Sequence, residues 1–396
     1  MLFNQDKPRV IHLDINSCFA TIEQQANPKI RNKPVIVCAY VTNSGCILAS
    51  SVTAKQLGIK TGMRVVEAKR ICPKVVILPA DPPKYRFVHQ QIKTILSDYS
   101  SNVIPKSIDE FVFRLEDMFG VLETCLLIKE RIKKEVGEYI TVSIGVSVNR
   151  YLAKVASNLK KPDGLEVIDS KNFLDIFSKL SLVGLTGIKN KNAARLKRIG
   201  IDTVLDFFNS PIWKLKIAFS GISGLYWYLR LHGYEIDDFK TKRRTIGNSY
   251  APPPDQKDMG LKIISKLSEK TGQRLRELNL KAVGVHLFIQ DRNGASWHMG
   301  KKTEEEIFAS GDIFKKMSEL FKANPIKADI RNIAITLFDL SPKDNLQLEL
   351  FSDIDKKEKL SKSLDAINLK HGDYTIYPSR MVNSSNMVKD RIAFGH

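Results

Sequence analysis

The hydrophobic pattern of the chain switches repeatedly between a two-residue and a helical period. Arg9–Ile15, RVIHLDI, is apolar and β-branched and predicts a buried strand with Asp14 near its C-terminal end. KPVIVCAYV and CILASSV read as a hairpin-like pair joined through TNSG. GIKTGMRVVEAKRICP reads as a turn, a short helix and a stop at Pro73. In YRFVHQQIKTILSDYS the apolar residues Phe87, Ile92, Ile95, Leu96 and Tyr99 recur at helical spacing. A strand carrying Asp109 and Glu110 follows. After it come an amphipathic helix in LETCLLIKERIKKEV, a strand in YITVSIGVSV and a basic helix in RYLAKVASNLKKPDG. This alternation through about residue 170 indicates an α+β or α/β domain.

From Ser170 to Phe239 the pattern turns helical, punctuated by Gly184, Gly187, Gly200, Gly221 and Gly224. The basic stretch KTKRRT, Lys240–Thr245, is a linker candidate. Beyond it the pattern predicts a strand (RTIGNSY), a helix (Gln256–Leu278) and two strands (AVGVHLFIQD, ASWHMGKK). A helix (Glu304–Phe321) and a strand (IRNIAITLFDL) complete the β-α-β-β-α-β order of a compact α+β domain. DIDKKEKLSKSLDAINLKHG predicts a further helix with Leu360, Leu364 and Ile367 on one face.

At 396 residues the chain exceeds a single core, and roughly two to four domains are expected. Its net charge of +19 and pI near 9.5 favour a polyanionic partner, nucleic acid before an anionic membrane surface. A merely soluble basic protein is the alternative that charge alone leaves open. The N-terminal MLFNQDKPRVIHLDI does not read as a signal peptide, because a charged segment precedes only a short apolar run. No apolar stretch approaches the ~20 residues of a membrane span. Cys18, Cys38, Cys46, Cys72 and Cys125 contain no C-x-x-C pair, which argues against disulfide staples and a zinc knuckle and fits a reducing cytoplasm.

The segment PKSIDEFVF, Pro105–Phe113, places two carboxylates side by side within an otherwise apolar stretch. Buried carboxylates are costly unless paired, and a metal ion is a strong partner. With Asp14 on a neighbouring strand, three carboxylates would meet. That donor set suits two divalent cations ~3.5–4 Å apart, with Mg²⁺ fitting best because it takes few protein carboxylates and keeps water and phosphate oxygens. Spacing alone leaves a second reading open, in which Asp109 and Glu110 begin a turn and Asp14 caps a helix.

LDINSCFATIEQ, LASSVTAKQLGIKTGM, SIDE and SIGVSVNRYLAKVASNLKKPDG together resemble, in order and spacing, the Y-family of translesion DNA polymerases. The resemblance runs from about Arg9 to Phe351. It implies a multidomain α+β right hand: palm (1–25 and 82–169), small fingers (26–81), helix-hairpin-helix thumb (170–239), basic linker (240–245) and little finger (246–346). It implies that Asp14 and Asp109 bridge two Mg²⁺ ions, that Glu110 holds the ion at the primer 3′-hydroxyl, and that the Ile15 carbonyl completes a shell. Phe19 aligns with the steric gate, whose flat ring excludes a 2′-hydroxyl by clash. The amides of Cys18 and Phe19 at a helix N-terminus would hold phosphate oxygens, and Lys161 matches the lysine that reaches the triphosphate. Two fingers positions depart from the family: Val52 stands for a Tyr and Lys55 for an Arg, so a charge is kept and the bidentate fork lost. Ser50, Ser51 and Thr53 are the polar residues that would compensate. Asn16 replaces a second acidic residue, and Arg114 lies near where another acidic residue is common.

LVGLTGIKNKNAARLKRIGI resembles the thumb hairpin, whose turn exposes amides to a DNA phosphate, with Lys189, Lys191, Arg195 and Lys197 nearby. Arg243 and Arg244 of the linker, Arg292, Lys301, Lys302 and Arg331 would face the duplex. QLELF, residues 347–351, resembles the pentapeptide by which bacterial polymerases dock on the sliding clamp, through Gln347, Leu350 and Phe351. The tail 352–396 resembles extensions in relatives of the DNA polymerase V catalytic subunit. The expected partners are primer–template DNA, dNTP, the clamp and possible accessory subunits, with a monomeric bacterial protein in the cytoplasm at the nucleoid. A catalytically silent, DNA-bound scaffold and a palm-domain nucleotidyl cyclase are the competing functions. The intact carboxylates count against the scaffold, and the second α+β domain and the charge count against the cyclase.

Overall fold

The computed structural model describes residues 2–116, 120–237, 243–253, 259–326, 329–343, 354–382, 384, 387–388, 390 and 392. Gln347, Leu350 and Phe351 lie outside the described residues, as do 238–242 of the linker region. The chain divides into two units, Met1–Phe239 with Arg391–His396, and Lys240–Asp390.

The first unit opens with β1 (Val10–Ile15) and α1 (Cys18–Ala26), then β2 (Val35–Cys38), β3 (Ile47–Ser50), α2 (Val52–Gln56), α3 (Val65–Ile71) and β4 (Val76–Pro79). Next come α4 (Pro82–Ser97), β5 (Ile104–Pro105), β6 (Glu110–Arg114), α5 (Val121–Glu135), β7 (Val142–Ser147), α6 (Arg150–Leu159) and β8 (Leu165–Ile168). Short helices α7 (Phe173–Lys179), α8 (Asn190–Lys197), α9 (Val204–Asn209), α10 (Ile212–Ala218) and α11 (Ser223–Leu231) finish it.

The main sheet has the order β5-β6-β1-β7-β8. β1 pairs antiparallel with both β6 and β7, while β8 runs parallel to β7 and is reached through the α6 crossover. Period-two alternation divides β1: Ile11, Leu13 and Ile15 enter a core shared with α1, α4 and α5. Val10, on the other face, packs with Val112 and with Ala153 of α6. Residues 35–79 form a small separate sheet, β3-β2-β4, with its own core around Ile36, Ile47, Ala54 and Ile59. The helical region packs around Phe177, Leu196, Phe207 and Trp227, and α6 contributes Leu152 and Val155 to that core.

The second unit contains β9 (Thr245–Tyr250), α12 (Gly260–Glu277), β10 (Leu280–Asp291), β11 (Ser296–Ile307), α13 (Ser310–Lys322), β12 (Ile330–Pro342) and α14 (Ile354–His371). Its sheet order is β11-β10-β12-β9. Ile264, Leu267, Ile313 and Met317 of the two helices pack on Val285, Leu287, Ile335 and Leu337. α14 is tied back by Arg276, which holds Asp365 at 2.6 and 2.8 Å, and by Lys357 to Asp312.

Thr245 opens β9, paired with Phe338, within the strand predicted from RTIGNSY. Three local expectations change. Phe87 is 63% exposed, because the buried seam of α4 runs through Tyr85, Val88, Ile92 and Ile95 and Phe87 sits one residue off it. Glu304–Ile307 extend β11 rather than start a helix: the buried Lys281 draws Glu306 to 2.5 Å, and the Thr303 hydroxyl donates to Val283 across the ladder. Leu360 on α14 is exposed.

Candidate active site

The register of β1 sets the site. Asp14 stands opposite Glu110 on one side and Ser143 on the other, and Ile15, which ends β1, donates its amide to Asp109 O at 2.9 Å. Phe111 and Phe113 point into the core, so alternation puts Glu110 on Asp14's face of the sheet, the face covered by α6. Asp109 precedes β6, and its charge acts on Cys18 of α1 and on Lys55 of α2. Asp14 senses the charges of both other carboxylates.

Each carboxylate has a partner within the chain. Lys161 Nζ lies 2.7 Å from Asp14 Oδ2, Lys154 Nζ lies 2.6 Å from Glu110 Oε2, and Ser107 donates to Asp109 Oδ1 at 2.6 Å. Among the described residues no three His, Cys, Asp or Glu side chains close up around a common point. The Asp14 pKa is raised, first by burial, with Asp109 and Glu110 adding to the rise and Lys161 opposing it. Burial opposes ionisation of Glu110 as well, but His12 and Lys154 overrule it and hold that carboxyl at about 2. His12 Nε2 stands 3.6 Å from Glu110 Oε2, longer than a good hydrogen bond, so Lys154 is the closer partner.

Both lysines come from α6 and the turn after it. The N-cap Asn149 accepts from Leu152 N at 2.8 Å and donates to the carbonyls of Arg230 and Tyr234, which seats the helix end. The helix crosses β7 at Gly145, where an added Cβ would lie 2.0 Å from Ala153 O and 2.2 Å from Ser157 N. The turn 160–164 is clamped in turn. Asn16 Oδ1 accepts from Asp163 N at 2.7 Å and Asn16 Nδ2 donates to Ser143 Oγ at 2.8 Å. Lys129 and Lys133 hold the Asp163 carboxylate at 3.0 and 2.9 Å. Asn16 thus ties the turn to β7, accepting from the one and donating to the other, which an ionised Asp does not offer.

At the start of α1, Ser17 has φ 51° and gives no side-chain cap, so the first-turn amides, including those of Cys18 and Phe19, lack a capping side chain. The Phe19 ring stacks on Tyr85 with centroids 4.3 Å apart and planes 8° apart. Tyr85 is itself fixed by its hydroxyl on Glu23 at 2.9 Å, and Lys84 holds the other Glu23 oxygen at 2.7 Å. Lys55 donates to Ser17 Oγ at 2.8 Å. Its side chain is exposed overall, yet its pKa is lowered, first by partial desolvation at the tip and then by the neighbouring Lys161 charge. Ser51 and Thr53 do not replace the polar groups missing at Val52 and Lys55. Ser51 caps α2 at Ala54 N and takes the Val35 amide, and Thr53 donates to Lys33 O. Ser50 is fully buried.

The remaining predicted cations sit at the surface. Lys189 and Lys191 are exposed at the N-terminus of α8, after a turn in which Gly187 has φ 88°. In the second unit Arg243, Arg244, Lys301 and Arg331 are exposed. Lys302 is paired with Asp339 at 2.9 Å and Arg292 donates to Pro252 O, so neither is a bare cation. Lys301 and Lys302, adjacent on a strand, project to opposite faces. His12 and Lys154 were not singled out from the sequence. The available signal was a lysine directly after the fully buried Ala153 in an otherwise apolar helix face.

Residues 13–158 match the impB/mucB/samB family and residues 243–350 match the C-terminal domain of that family. The chain is 31% identical over 381 residues to DNA polymerase IV 1 of Bacillus subtilis, covering 92% of this chain and 91% of that one. It is 29% identical to DNA polymerase IV of Oceanobacillus iheyensis over 96% and 94% of the two chains. Among solved structures, a Y-family DNA polymerase chimera of Dbh and Dpo4 superposes with TM-score 0.73 at 25% identity, covering 84% of this chain and 99% of that one. DinB from Sulfolobus solfataricus superposes with TM-score 0.58 at 25% identity over 83% and 98%.

Proposed function

The chain belongs to the impB/mucB/samB family, the Y-family translesion DNA polymerases, and from that premise we propose that Asp14, Asp109 and Glu110 are the catalytic carboxylates with which it adds dNTPs to a primer 3′-hydroxyl. The observation that carries this reading is the register pair Asp14–Glu110, each side chain already bearing an ammonium group within 2.7 Å. A pair that collects cations in this way is the hard-oxygen donor set a divalent ion takes.

Asp14, Asp109, Glu110 and the Ile15 carbonyl would hold two Mg²⁺ ions. When bound, these ions lower the pKa of the attacking hydroxyl and neutralise the triphosphate. The primer 3′-oxygen forms a bond to the α-phosphorus, the bond from that phosphorus to the β-phosphate oxygen breaks, and pyrophosphate leaves while the hydroxyl proton passes to solvent. The amides of Cys18 and Phe19 and the ammonium groups of Lys55 and Lys161 hold the phosphates. Phe19, kept flat by Tyr85, bars a 2′-hydroxyl.

In this reading residues 1–25 and 82–169 are the palm, 26–81 the fingers, 170–239 the thumb and 246–346 the little finger. Lys189, Lys191, Arg243, Arg244, Lys301 and Arg331 track the DNA backbone without reading sequence, with Lys302 joining them if it leaves Asp339. QLELF docks on the sliding clamp. Among the described residues no helix is long and apolar enough to cross a membrane. A monomer working at the bacterial nucleoid in the cytoplasm, with or without accessory subunits, completes the proposal. Nothing in the comparisons favours the silent scaffold.

Asp109→Ala tests the assignment. Primer extension is expected to vanish while DNA binding stays within a few-fold, and retained extension by this variant overturns it.

A further inference from the structure

Lys161 is fixed at its backbone and adjustable at its tip. Its turn is pinned to Asn16 just after β1, to Ser143 of β7, whose hydroxyl accepts from Gly164 N, and to Lys129 and Lys133 of α5. Gly164 closes against Lys160 so tightly that a Cβ there would lie 2.0 Å from Lys160 O. Movement of Lys161 therefore falls to its own side-chain torsions. Its ammonium rests 2.7 Å from Asp14 Oδ2. The same ammonium lies close enough to that of Lys55 for their like charges to interact. An anion placed between the two lysines relieves that repulsion, whereas a divalent cation at Asp14 repels Lys161 directly.

One ammonium group thus answers to two sites. Resting on the reading of Asp14 as a metal ligand, we infer that Lys161 is a nucleotide-released lock: it occupies the Asp14 oxygen a metal ion needs until a triphosphate draws the ammonium away. Metal binding at Asp14 and nucleotide binding are then coupled, and the coupling is reciprocal by linkage. The exchange needs no loop movement.

Mn²⁺ binding to the full chain, read by electron paramagnetic resonance with and without a saturating non-hydrolysable dNTP, tests this. The Mn²⁺ held by free nucleotide is measured without protein and subtracted. Without nucleotide, Lys161→Met is expected to bind Mn²⁺ about tenfold more tightly than wild type, the scale of losing one part-buried competing charge. The tightening produced by nucleotide is expected to be smaller in Lys161→Met by about the same factor. Lys161→Arg, which keeps the charge, is expected to behave as wild type. Equal Mn²⁺ affinity of Lys161→Met and wild type without nucleotide overturns the lock. Asp14→Asn separates the two levels: if it binds Mn²⁺ as wild type does under both conditions, the metal site itself is misassigned and the lock falls with it.

Discussion

Gly145 is where the fold delivers the candidate site, and Gly145→Ala measures that dependence. The residue pairs with His12 across the sheet, and α6 lies on it through backbone atoms, Ala153 O and Ser157 N. A methyl group there would sit 2.0 Å from the carbonyl oxygen, whereas ordinary contact begins at 3.4 Å. Neither contact is the flexible end of a side chain, so α6 must lift by about 1.4 Å or the sheet must give by that amount. Overpacking of a close-packed interior costs ~1–3 kcal/mol and occasionally more. For a unit of this size that corresponds to a melting temperature lower by roughly 2–12 °C. Lys154 and Lys161 ride on this helix and its following turn. A displacement near 1 Å costs on the order of 10²-fold in rate where geometry limits the chemistry. The assay is thermal melting by circular dichroism beside single-turnover primer extension. Gly311→Ala is the control: it lies in α13 with no atom within 4 Å of the added Cβ, and is expected to melt at or slightly above wild type. If Gly145→Ala melts within about 2 °C of wild type and extends primers at an undiminished rate, the wedge reasoning is wrong.

Phe19→Ala is expected to raise ribonucleotide incorporation and, by removing the ring stacked on Tyr85, to cost ~3 kcal/mol of stability; unchanged sugar discrimination in a primer-extension competition places the gate elsewhere. Deleting residues 347–351 is expected to spare basal extension and abolish stimulation by the clamp, and a clamp pull-down unaffected by the deletion rejects docking there. Lys266 is buried beside the Tyr374 ring, and its pKa is pushed down from 10.5 to about 8 by burial and by Lys270. The unfolded chain therefore binds more protons than the folded one between these values, and stability from this group rises as pH rises through that window. Denaturant melts of wild type and Lys266→Met should show any advantage of the variant at pH 7 shrinking by about pH 10.5. An advantage that grows with pH contradicts the sign.

Much of this protein is legible in one dimension. Element type and order follow from local periodicity: β1, α5, β7 and α6 each stand where the apolar pattern places them, because hydrophobic burial at period two or 3.6 is decided within a segment. Asp14, Asp109 and Glu110 stood out because charge inside an apolar strand is costly and asks for a partner. Local reasoning erred at Phe87, where a helical seam shifted by one residue, and at Glu304–Ile307, where an acidic run imitated a helix start while a buried lysine held it in a strand.

The partners of those charges were a matter for the tertiary structure alone. Strand register put Glu110 beside Asp14, and the approach of α6 at Gly145 brought Lys154 to Glu110. Asn16, 147 residues away in sequence, pins the turn that aims Lys161 at Asp14. Likewise Ser51 and Thr53 looked free to serve a nucleotide, and the backbone of Lys33 and Val35 had already claimed their hydroxyls. Periodicity records which face of a segment is buried. It carries no information on which distant segment covers that face or at what register, and a hydrogen bond or ion pair depends on that distance to within a few tenths of an ångström.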